Sequence, residues 1–373
     1  MPSAGWSPKK FMKKLKLRKS RQAQPDQAPS RITNETVAEH REQILAGGRR
    51  FKYPIQYARH KLVFNAIAIA VVAVVLLAIL GWWQLYIVQN SSSFLYRLTR
   101  IFPVPVASIE GQQVRFSDYL VQYRGSEFYL SKYDQLKITS KDGQEQLKYI
   151  KRESLNRAIV DAYAANIAKQ KGINVTEKDI SDIIDQQRNT VNGRISQQTY
   201  DASSLMMYDW TPSDYRLAVK RSILRARVAF AVDDKAKQQS EKASQLIAAT
   251  NGDFVKVAES FKDDGGEKVV AGDSSMISLV SNFGGLRVSD LKDLNKDQVS
   301  GPITTTSDSG YYFVKIIDKT DTKIRFSYLF IPLTALDARI AELKKSNKIK
   351  EYISVPEAKA QDASSPGTVP ANP

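Results

Sequence analysis

The side chains that most often act as nucleophiles, general bases or metal ligands are nearly absent from this sequence. Its 373 residues include no cysteine and two histidines, His40 and His60, both close to the N-terminus. Without cysteine the chain has no disulfide, no thiolate zinc site and no thiol nucleophile. Acidic residues are scattered and do not form the paired pattern that glycoside hydrolysis uses. The sequence therefore does not favour a protease, a glycosidase or a metal-dependent enzyme, and we expect no metal site.

Motifs for nucleotide and acyl chemistry are also missing from the sequence. It contains no G-x-S-x-G elbow, no phosphate-binding loop and no G-x-G-x-x-G turn. We therefore expect no cofactor.

The elements that must position any site begin with one long apolar segment, residues 62–88. From Ala66 to Trp83 this segment has no polar side chain, and 18 helical residues span about 27 Å at ~1.5 Å each. This length nearly fills the ~30 Å hydrocarbon core of a bilayer. Trp82, Trp83 and Tyr86 cluster at one end, where amphipathic rings favour the headgroup level. We predict a transmembrane helix, and the less favoured alternatives are a buried core helix and a cleaved signal peptide.

Charge predicts the orientation of this helix. Residues 1–61 carry 15 Lys/Arg and 4 Asp/Glu, a net charge of +11 out of +16 for the whole chain. Only Arg97 and Arg100 are charged in the first dozen residues after the apolar segment. The positive-inside rule therefore places the N-terminus in the cytoplasm and residues 89–373 outside it. We predict a single-pass protein of the cell membrane with most of its chain extracytoplasmic.

The basic segment 8–21, PKKFMKKLKLRKSR, allows three interpretations. Phe11, Met12 and Leu15 fall near one side of a helix, so the segment could lie on anionic lipid. Clustered Lys and Arg could instead contact nucleic acid, and a solvated tail that helps to set topology is the simplest interpretation. We keep anionic lipid as a candidate partner and do not expect nucleic acid.

The roughly 285 residues beyond the membrane are long enough to predict two packed units. The first begins with a hairpin whose tight turn contains Gly111. Two later helix starts are marked by Thr176 with Asp179 and by Thr211 with Asp214, because each is a capping residue followed three positions on by an acid. This pattern predicts a small helical domain behind a hairpin.

From residue 233 onward the sequence alternates short helices with short strands, which indicates an α+β domain of about 90 residues. Its motifs are, in chain order, Gly252-Asp253-Phe254 with Ala258, Gly272-Asp273, Leu294 with Val299-Ser300-Gly301-Pro302, and Gly310-Tyr311-Tyr312-Phe313-Val314-Lys315. This order of motifs resembles a parvulin-type peptidyl-prolyl isomerase domain.

The upstream unit resembles the N-terminal chaperone domain of the SurA and PrsA foldases. The segments that carry this resemblance are VASIEGQQVRFSDY, LNRAIVDAYAANIAKQKGINVTEKDI and SDYRLAVKRSILRARV. A final helix over Ala335–Ile353 stands where that family returns a C-terminal helix to the chaperone domain. The resemblance covers most of residues 101–355.

The parvulin resemblance implies a prolyl pocket above two facing histidines, one on the first strand and one after the glycine of the last strand. This sequence has Tyr312 at the last-strand position, and the first strand, placed near Val228–Phe230, has only apolar candidates. The parvulin family has a polar residue in the loop after its second helix, and this position maps to Asp264 in the present sequence. The resemblance assigns the substrate-binding positions to Gly272, Asp273, Met276, Phe283 and Tyr312.

Prolyl isomerisation needs no nucleophile, because its barrier of about 18–20 kcal/mol is amide resonance. Without the two histidines we expect the isomerase activity to be weak or lost, and no catalytic residue is assigned beyond the pocket equivalents Asp264 and Tyr312. The favoured function is a membrane-anchored folding factor for unfolded or nascent exported polypeptides. An active peptidyl-prolyl isomerase and a non-catalytic envelope scaffold with a degenerate parvulin fold are the alternatives.

The predicted fold class is α+β, with one N-terminal transmembrane helix, a mostly helical chaperone-like domain, a parvulin-like domain and a returning C-terminal helix. The predicted divisions are a basic cytoplasmic tail (1–61), the transmembrane helix (62–88), the helical chaperone-like domain (92–232), the parvulin-like domain (233–322), a return strand with the C-terminal helix (323–355) and a disordered tail (356–373).

Overall fold

The structure is a computed structural model in which two units, Met1–Ala78 and Ile79–Pro373, are separately compact. It describes residues 33–52, 54–133, 138–262, 269–307 and 309–357. The basic segment 8–21, the pocket equivalent Asp264 and nearly all of the C-terminal tail lie outside the described residues.

The first described elements are two helices, α1 (Asn34–Lys52) and α2 (Pro54–Trp82), and α2 continues into a π-helical turn over Trp83–Ile87. Within the described ranges, one helical stretch is long and apolar enough to cross a membrane, His60–Ile87. Its apolar side chains from Leu62 to Leu80 are exposed, as expected for a helix whose partner is lipid. The segment is therefore compatible with a single-pass membrane protein.

A helical domain with a small hairpin follows the apolar helix. Its elements are α3 (Ser93–Ile101), β1 (Pro105–Ile109), β2 (Gln112–Arg115), α4 (Phe116–Lys132), α5 (Lys141–Lys171), α6 (Glu177–Gln187), β3 (Asn189–Thr190), β4 (Gly193–Arg194), α7 (Gln197–Tyr208) and α8 (Pro212–Val232). Gly111 has the positive φ of +83° that the turn between β1 and β2 requires.

Both predicted capping boxes are confirmed. Thr176 accepts a hydrogen bond from the backbone N–H of Asp179, whose carboxylate in turn accepts one from the backbone of Thr176, at the start of α6. Thr211 and Asp214 form the same reciprocal pair at the start of α8, with a proline at the first helical turn. These local signals set where the two helices begin.

The second region alternates helices with short strands. Its elements are α9 (Asp234–Ala249), α10 (Phe254–Glu259), β5 (Val270–Asp273), β6 (Ile277–Ser278), β7 (Asn282–Phe283), β8 (Leu286–Arg287), a 3₁₀ turn (Val288–Leu291), β9 (Ile303–Thr304), β10 (Gly310–Lys319), β11 (Lys323–Pro332), α11 (Ala335–Lys345) and β12 (Ile349–Glu351). The mixed helix-and-sheet fold class predicted from the sequence is confirmed.

The main sheet has the antiparallel order β5-β11-β10-β9, and β6 also pairs with β11. The predicted first strand near Val228–Phe230 is wrong, because those residues lie in the last turns of α8. The strand next to β10 is instead β11, which follows it in the sequence. β11 therefore belongs to the same sheet as β10, whereas the predicted division at residue 323 assigned it to the C-terminal segment.

The end of the chain also differs from the predicted helix Ala335–Ile353. α11 ends at Lys345, and Asn347 adopts a left-handed φ of +55°, which breaks the helix. The residues that follow form β12, which pairs antiparallel with β1 in the order β12-β1-β2. The C-terminal segment thus returns to the first domain as a strand rather than as a longer helix.

The two faces of the main sheet pack against different partners. Phe313, Leu329 and Ile331 face the large core that they share with the helices of the first domain. Tyr312, Val314 and Phe326 alternate with them and face a second core, which the segment from β6 to β8 covers. A third, smaller core lies between α6, α7 and α8.

Candidate functional site

Five aromatic side chains gather on the second face of the main sheet, and we call Phe283, Tyr312, Phe326, Tyr328 and Phe330 the aromatic cluster. Three of them alternate along β11, so their side chains point to one face. The ring centroids of Tyr312 and Phe330 are 4.7 Å apart, and those of Phe283 and Tyr328 are 5.1 Å apart. Such tilted and edge-to-face contacts are favourable beyond the area they bury.

Two tyrosines stand at the centre of the aromatic cluster. The rings of Tyr312 and Tyr328 lie 5.8 Å apart and are tilted by 60°. Burial, with a smaller contribution from Tyr328, raises the pKa of Tyr312 to about 12. The Tyr312 hydroxyl therefore keeps its proton at neutral pH and cannot serve there as a general base.

Two glycines allow these rings to pack closely. Gly284 has a φ of +55°, and a Cβ at this position would collide with the Tyr312 hydroxyl. On β5, a Cβ at Gly272 would lie 2.8 Å from the Tyr328 hydroxyl. Both tyrosines thus reach into space that only a glycine leaves free, and their rings occupy the region above the sheet.

The structure brings together three of the predicted pocket residues: Gly272, Phe283 and Tyr312. Tyr312 is 5% exposed, so little of it is open to a ligand. Met276 is 38% exposed and lies between β5 and β6. Asp273 instead lines a separate shallow cavity of about 490 Å³, together with Gly272.

Sequence reasoning missed the three aromatic residues of β11 in the cluster. Phe326, Tyr328 and Phe330 recur at every second position, which is the signal of one aromatic face on a strand. The predicted site ends at β10, because the sequence-based division places β11 in the C-terminal segment.

A larger open space, which we call the cleft, lies between the helical domain and the sheet-containing region. It has a volume of about 800 Å³, which is within the usual range for ligand sites. The helical side contributes residues of α6, the β3–β4 hairpin, α7 and α8, and the opposite side contributes residues from 280 to 307. Its apolar lining consists of Ile183, Val191, Ile195, Met207, Val219, Ile223 and Val280.

The polar groups of the cleft are almost all uncharged. Gln186, Gln187, Asn189 and Asn282 supply amides, and serine and threonine residues supply hydroxyls. Among the described residues that line the cleft, Arg287 alone carries a charge. Its guanidinium donates to the Gln186 Oε1 at 3.1 Å and to the Asp290 carboxylate at 3.0 Å.

A hydrogen-bonded group of three side chains supports the helical side of the cleft. The hydroxyls of Tyr200 and Tyr215 donate to the Gln187 Oε1 at 2.6 and 2.7 Å. Burial raises the pKa of both tyrosines, so they stay neutral. The cleft therefore rests on a fixed and uncharged base.

A buried carboxylate at the boundary between the two regions connects two helices of the second region. Asp233, between α8 and α9, is 2% exposed. Its oxygens accept hydrogen bonds from the backbone N–H of Ala236 at 2.9 Å, of Thr334 at 2.6 Å and of Ala335 at 2.9 Å. One side chain thus caps α9 and also holds the start of α11.

The described part of the chain offers no candidate metal centre. Within the ranges given above, no group of three or more His, Cys, Asp or Glu side chains could hold a metal ion. The cleft can bind a ligand through its apolar side chains and its neutral hydrogen-bonding groups.

Comparison of the sequence with models of known protein families gave a match. The model of the SurA-like N-terminal domain matches residues 55–229, from the first turn of α2 to the last turns of α8. No curated protein and no solved structure gave a significant match. The family match supports a chaperone-type folding factor with an envelope-type domain, and it suggests binding of unfolded polypeptides.

Proposed function

We propose that this chain is a membrane-anchored folding factor whose cleft binds unfolded segments of exported polypeptides. The observation that carries the proposal is the cleft itself, an open space of about 800 Å³ with an apolar lining and one charged residue. The similarity of residues 55–229 to a SurA-like N-terminal domain supports it. The excess of basic residues before the apolar helix supports a cytoplasmic N-terminus and an extracytoplasmic cleft.

The lining of the cleft suits an unfolded chain better than a single defined ligand. An unfolded segment offers apolar side chains together with backbone N–H and C=O groups that have no partner. Amides such as Gln186 and Asn282 can bond to that backbone whatever the side chains are. Apart from Arg287, which is paired with Asp290, the described lining of the cleft is uncharged, so it penalises neither acidic nor basic segments by desolvation of a fixed charge. These features favour broad client binding over recognition of one partner.

The sheet-containing region is proposed to be a parvulin-like domain that has lost its catalytic pocket. Where the resemblance implies two facing histidines, Tyr312 faces Tyr328 of the neighbouring strand. Both rings are packed down onto glycines, and the Tyr312 hydroxyl is neutral. Prolyl isomerase activity is therefore weak or lost. Met276 and Phe283 are the pocket positions that we retain as open enough to touch a client.

We also retain the division of the extracytoplasmic part at residues 232 and 233. In this proposal the helical domain supplies one wall of the cleft and the parvulin-like domain supplies the other. Asp233 lies at the boundary and bonds to both α9 and α11. The parvulin-like fold then serves as a structural wall and as a contact surface rather than as an enzyme.

The proposal is tested by placing a charge on each wall of the cleft. Val191 is 75% exposed and Val280 is 45% exposed, so Val191→Asp and Val280→Asp change the lining without burying a charge. Full-length protein in nanodiscs is tested for suppression of aggregation of two unrelated unfolded clients. We expect the double variant to lose most of the suppression, because a carboxylate disfavours apolar segments.

The matched control is Val255→Asp, a substitution of an exposed valine on α10 outside the cleft. It should suppress aggregation as well as the unaltered protein does. Equal loss in the control and in the double variant would contradict the assignment of the cleft. Suppression limited to a single client would favour a scaffold, and acceleration of X-Pro isomerisation by the same preparations would favour an active isomerase.

A further inference from the structure

The short helix α3 exposes apolar side chains on the face that is turned away from the protein. Leu95, Tyr96 and Thr99 are buried against the helical domain. On the opposite side, Phe94 is 73% exposed and Ile101 is 72% exposed. Water-facing sides of amphipathic helices are normally polar, so this exposed face needs a partner.

The end of the apolar helix is fixed in the same domain and leaves α3 close to it. Leu85 is 4% exposed within the large core. The hydroxyl of Tyr86 donates to the backbone O of Pro105 at 2.6 Å, and its ring meets Phe116 edge-on at 5.8 Å. α3 begins six residues after Ile87, and such a connection spans at most about 20 Å.

α3 is also held firmly on the domain, so the direction of its exposed face is set. The hydroxyl of Tyr96 donates to Asp214 at 2.5 Å, and the guanidinium of Arg100 donates to the same carboxylate at 2.9 Å. Asp214 is buried at the start of α8. The exposed face therefore cannot turn inward without breaking these bonds.

We propose that Phe94, Arg97 and Ile101, which we call the docking face, lie in the headgroup region of an anionic bilayer. The inference rests on the membrane anchoring in the proposed function. These residues share one side of α3 because they are three and four positions apart. Arg97 is exposed and has no ion pair with the described part of the chain, so it is available to a lipid phosphate.

Continuity with the apolar helix selects lipid as the occupant of the docking face. Apolar rings beside a cation are the composition of interfacial helices, which bury their apolar side at the boundary between headgroups and acyl chains. Phe102, directly after α3, is 60% exposed and extends the apolar surface. The bilayer would thus hold the domain at two points, the apolar helix and α3, and would fix how the cleft faces the membrane.

The absence of cysteine allows a direct test on the full chain. Single cysteines at Phe94, Ile101, Ile69 or Val255 carry a spin label, and the protein is reconstituted into vesicles of phosphatidylcholine with phosphatidylglycerol. Accessibility to oxygen, which concentrates in lipid, is compared with accessibility to a water-soluble nickel complex. We expect an oxygen-to-nickel ratio several-fold higher at Phe94 and Ile101 than at Val255, and highest at Ile69 in the apolar helix.

Three results would overturn the inference in distinguishable ways. Nickel access at Phe94 and Ile101 equal to that at Val255, with Ile69 still in lipid, would reject the docking face and keep the anchor. Nickel access at Ile69 would reject the membrane anchoring itself. Protection of Phe94 and Ile101 from both reagents would assign the face to another protein surface.

A charge reversal separates the role of lipid charge from that of apolar contact. In vesicles that contain phosphatidylglycerol, Arg97→Glu should lower the oxygen-to-nickel ratio at Phe94, because the new carboxylate is repelled by the anionic surface. In vesicles of phosphatidylcholine alone the same substitution should have a smaller effect. Equal effects in both membranes would contradict the assignment of Arg97 to an anionic headgroup.

Discussion

The aromatic cluster and the cleft share the hairpin of β7 and β8 and differ in what fills them. Phe283 of β7 packs into the cluster, whereas its neighbour Asn282 lines the cleft. Successive residues of a strand point to opposite sides, so one short hairpin contributes to both regions. In the cluster the rings occupy the available space, while the cleft leaves about 800 Å³ open.

Because of this difference, substitutions in the cluster should affect stability, whereas substitutions in the cleft should affect binding. The residues of the cluster that are fully buried behave as a core, so their substitution should lower the free energy of unfolding. Residues of the cleft such as Val191 and Val280 are exposed, so their substitution should change client binding with little effect on stability. The region whose sequence motifs resemble an enzyme pocket is packed as a core, whereas the space between the helical domain and the sheet-containing region is open.

The largest effect on stability is expected from Phe326→Ala. Phe326 is fully buried in the cluster, and truncation of a buried phenylalanine costs about 3–5 kcal/mol. Denaturant unfolding of the full chain in detergent measures the loss, and the folded fraction should still suppress client aggregation. Arg325→Ala, at the exposed neighbouring position of β11, is the control. Lost suppression by protein that is still folded would show that the cluster itself binds clients.

A smaller effect is expected from alkaline pH. Tyr312 titrates near pH 10 in an unfolded chain, and burial raises its pKa to about 12 in the folded protein. The folded state holds this proton more tightly, so the stabilisation is complete below pH 10 and is lost as the pH rises from 10 to 12. In that window Tyr312→Phe should remove a pH dependence of about 1.4 kcal/mol per pH unit from the unfolding free energy. If the unfolding free energy changed with pH by the same slope in the unaltered protein and in Tyr312→Phe, the Tyr312 hydroxyl would be hydrated in the folded state.

The smallest effect is expected from Gly284→Ala. A left-handed φ costs a residue with a side chain about 1–2 kcal/mol, and the new methyl group would also meet the Tyr312 hydroxyl. Tyr312→Phe removes the hydroxyl and should therefore remove the cost of this collision. The two substitutions should then be non-additive in a double-mutant cycle. Gly301→Ala is the control, because a Cβ there meets no atom within 4 Å. Strictly additive changes in the unfolding free energy would show that the Tyr312 hydroxyl does not pack against position 284.

Local signals in the sequence were sufficient to predict the starts of α6 and α8. A capping box depends on residues only three positions apart, so Thr176 and Thr211 could be interpreted without the rest of the chain. The strand expected near Val228–Phe230 comes from the parvulin resemblance, and the structure has the last turns of α8 there. β11 pairs with β10 as a hairpin across residues 320–322, but its other neighbour, β5, lies far earlier in the chain, and no local pattern records that second pairing.

The candidate site could be predicted only in part for the same reason. The resemblance assigns Gly272, Phe283 and Tyr312 to one pocket. In the structure Phe283 packs against Tyr312, and Gly272 lies against Tyr328 of the same cluster. Tyr328 lies outside the predicted site because its strand, β11, falls in the predicted C-terminal segment 323–355. The cleft could not be predicted, because its lining combines residues of the helical domain with residues 280–307, which come together only in the folded chain.

The order of the strands in space runs against their order along the chain. β11 lies between β5 and β10, and Glu351 of β12 pairs with Ala107 of β1. A ribosome delivers Ala107 long before Glu351, so one edge of β1 and the gap beside β5 remain open until almost the whole chain has been made. Unpaired strand edges are where other chains add. During its own synthesis this protein therefore passes through a stage at which it is itself prone to aggregation.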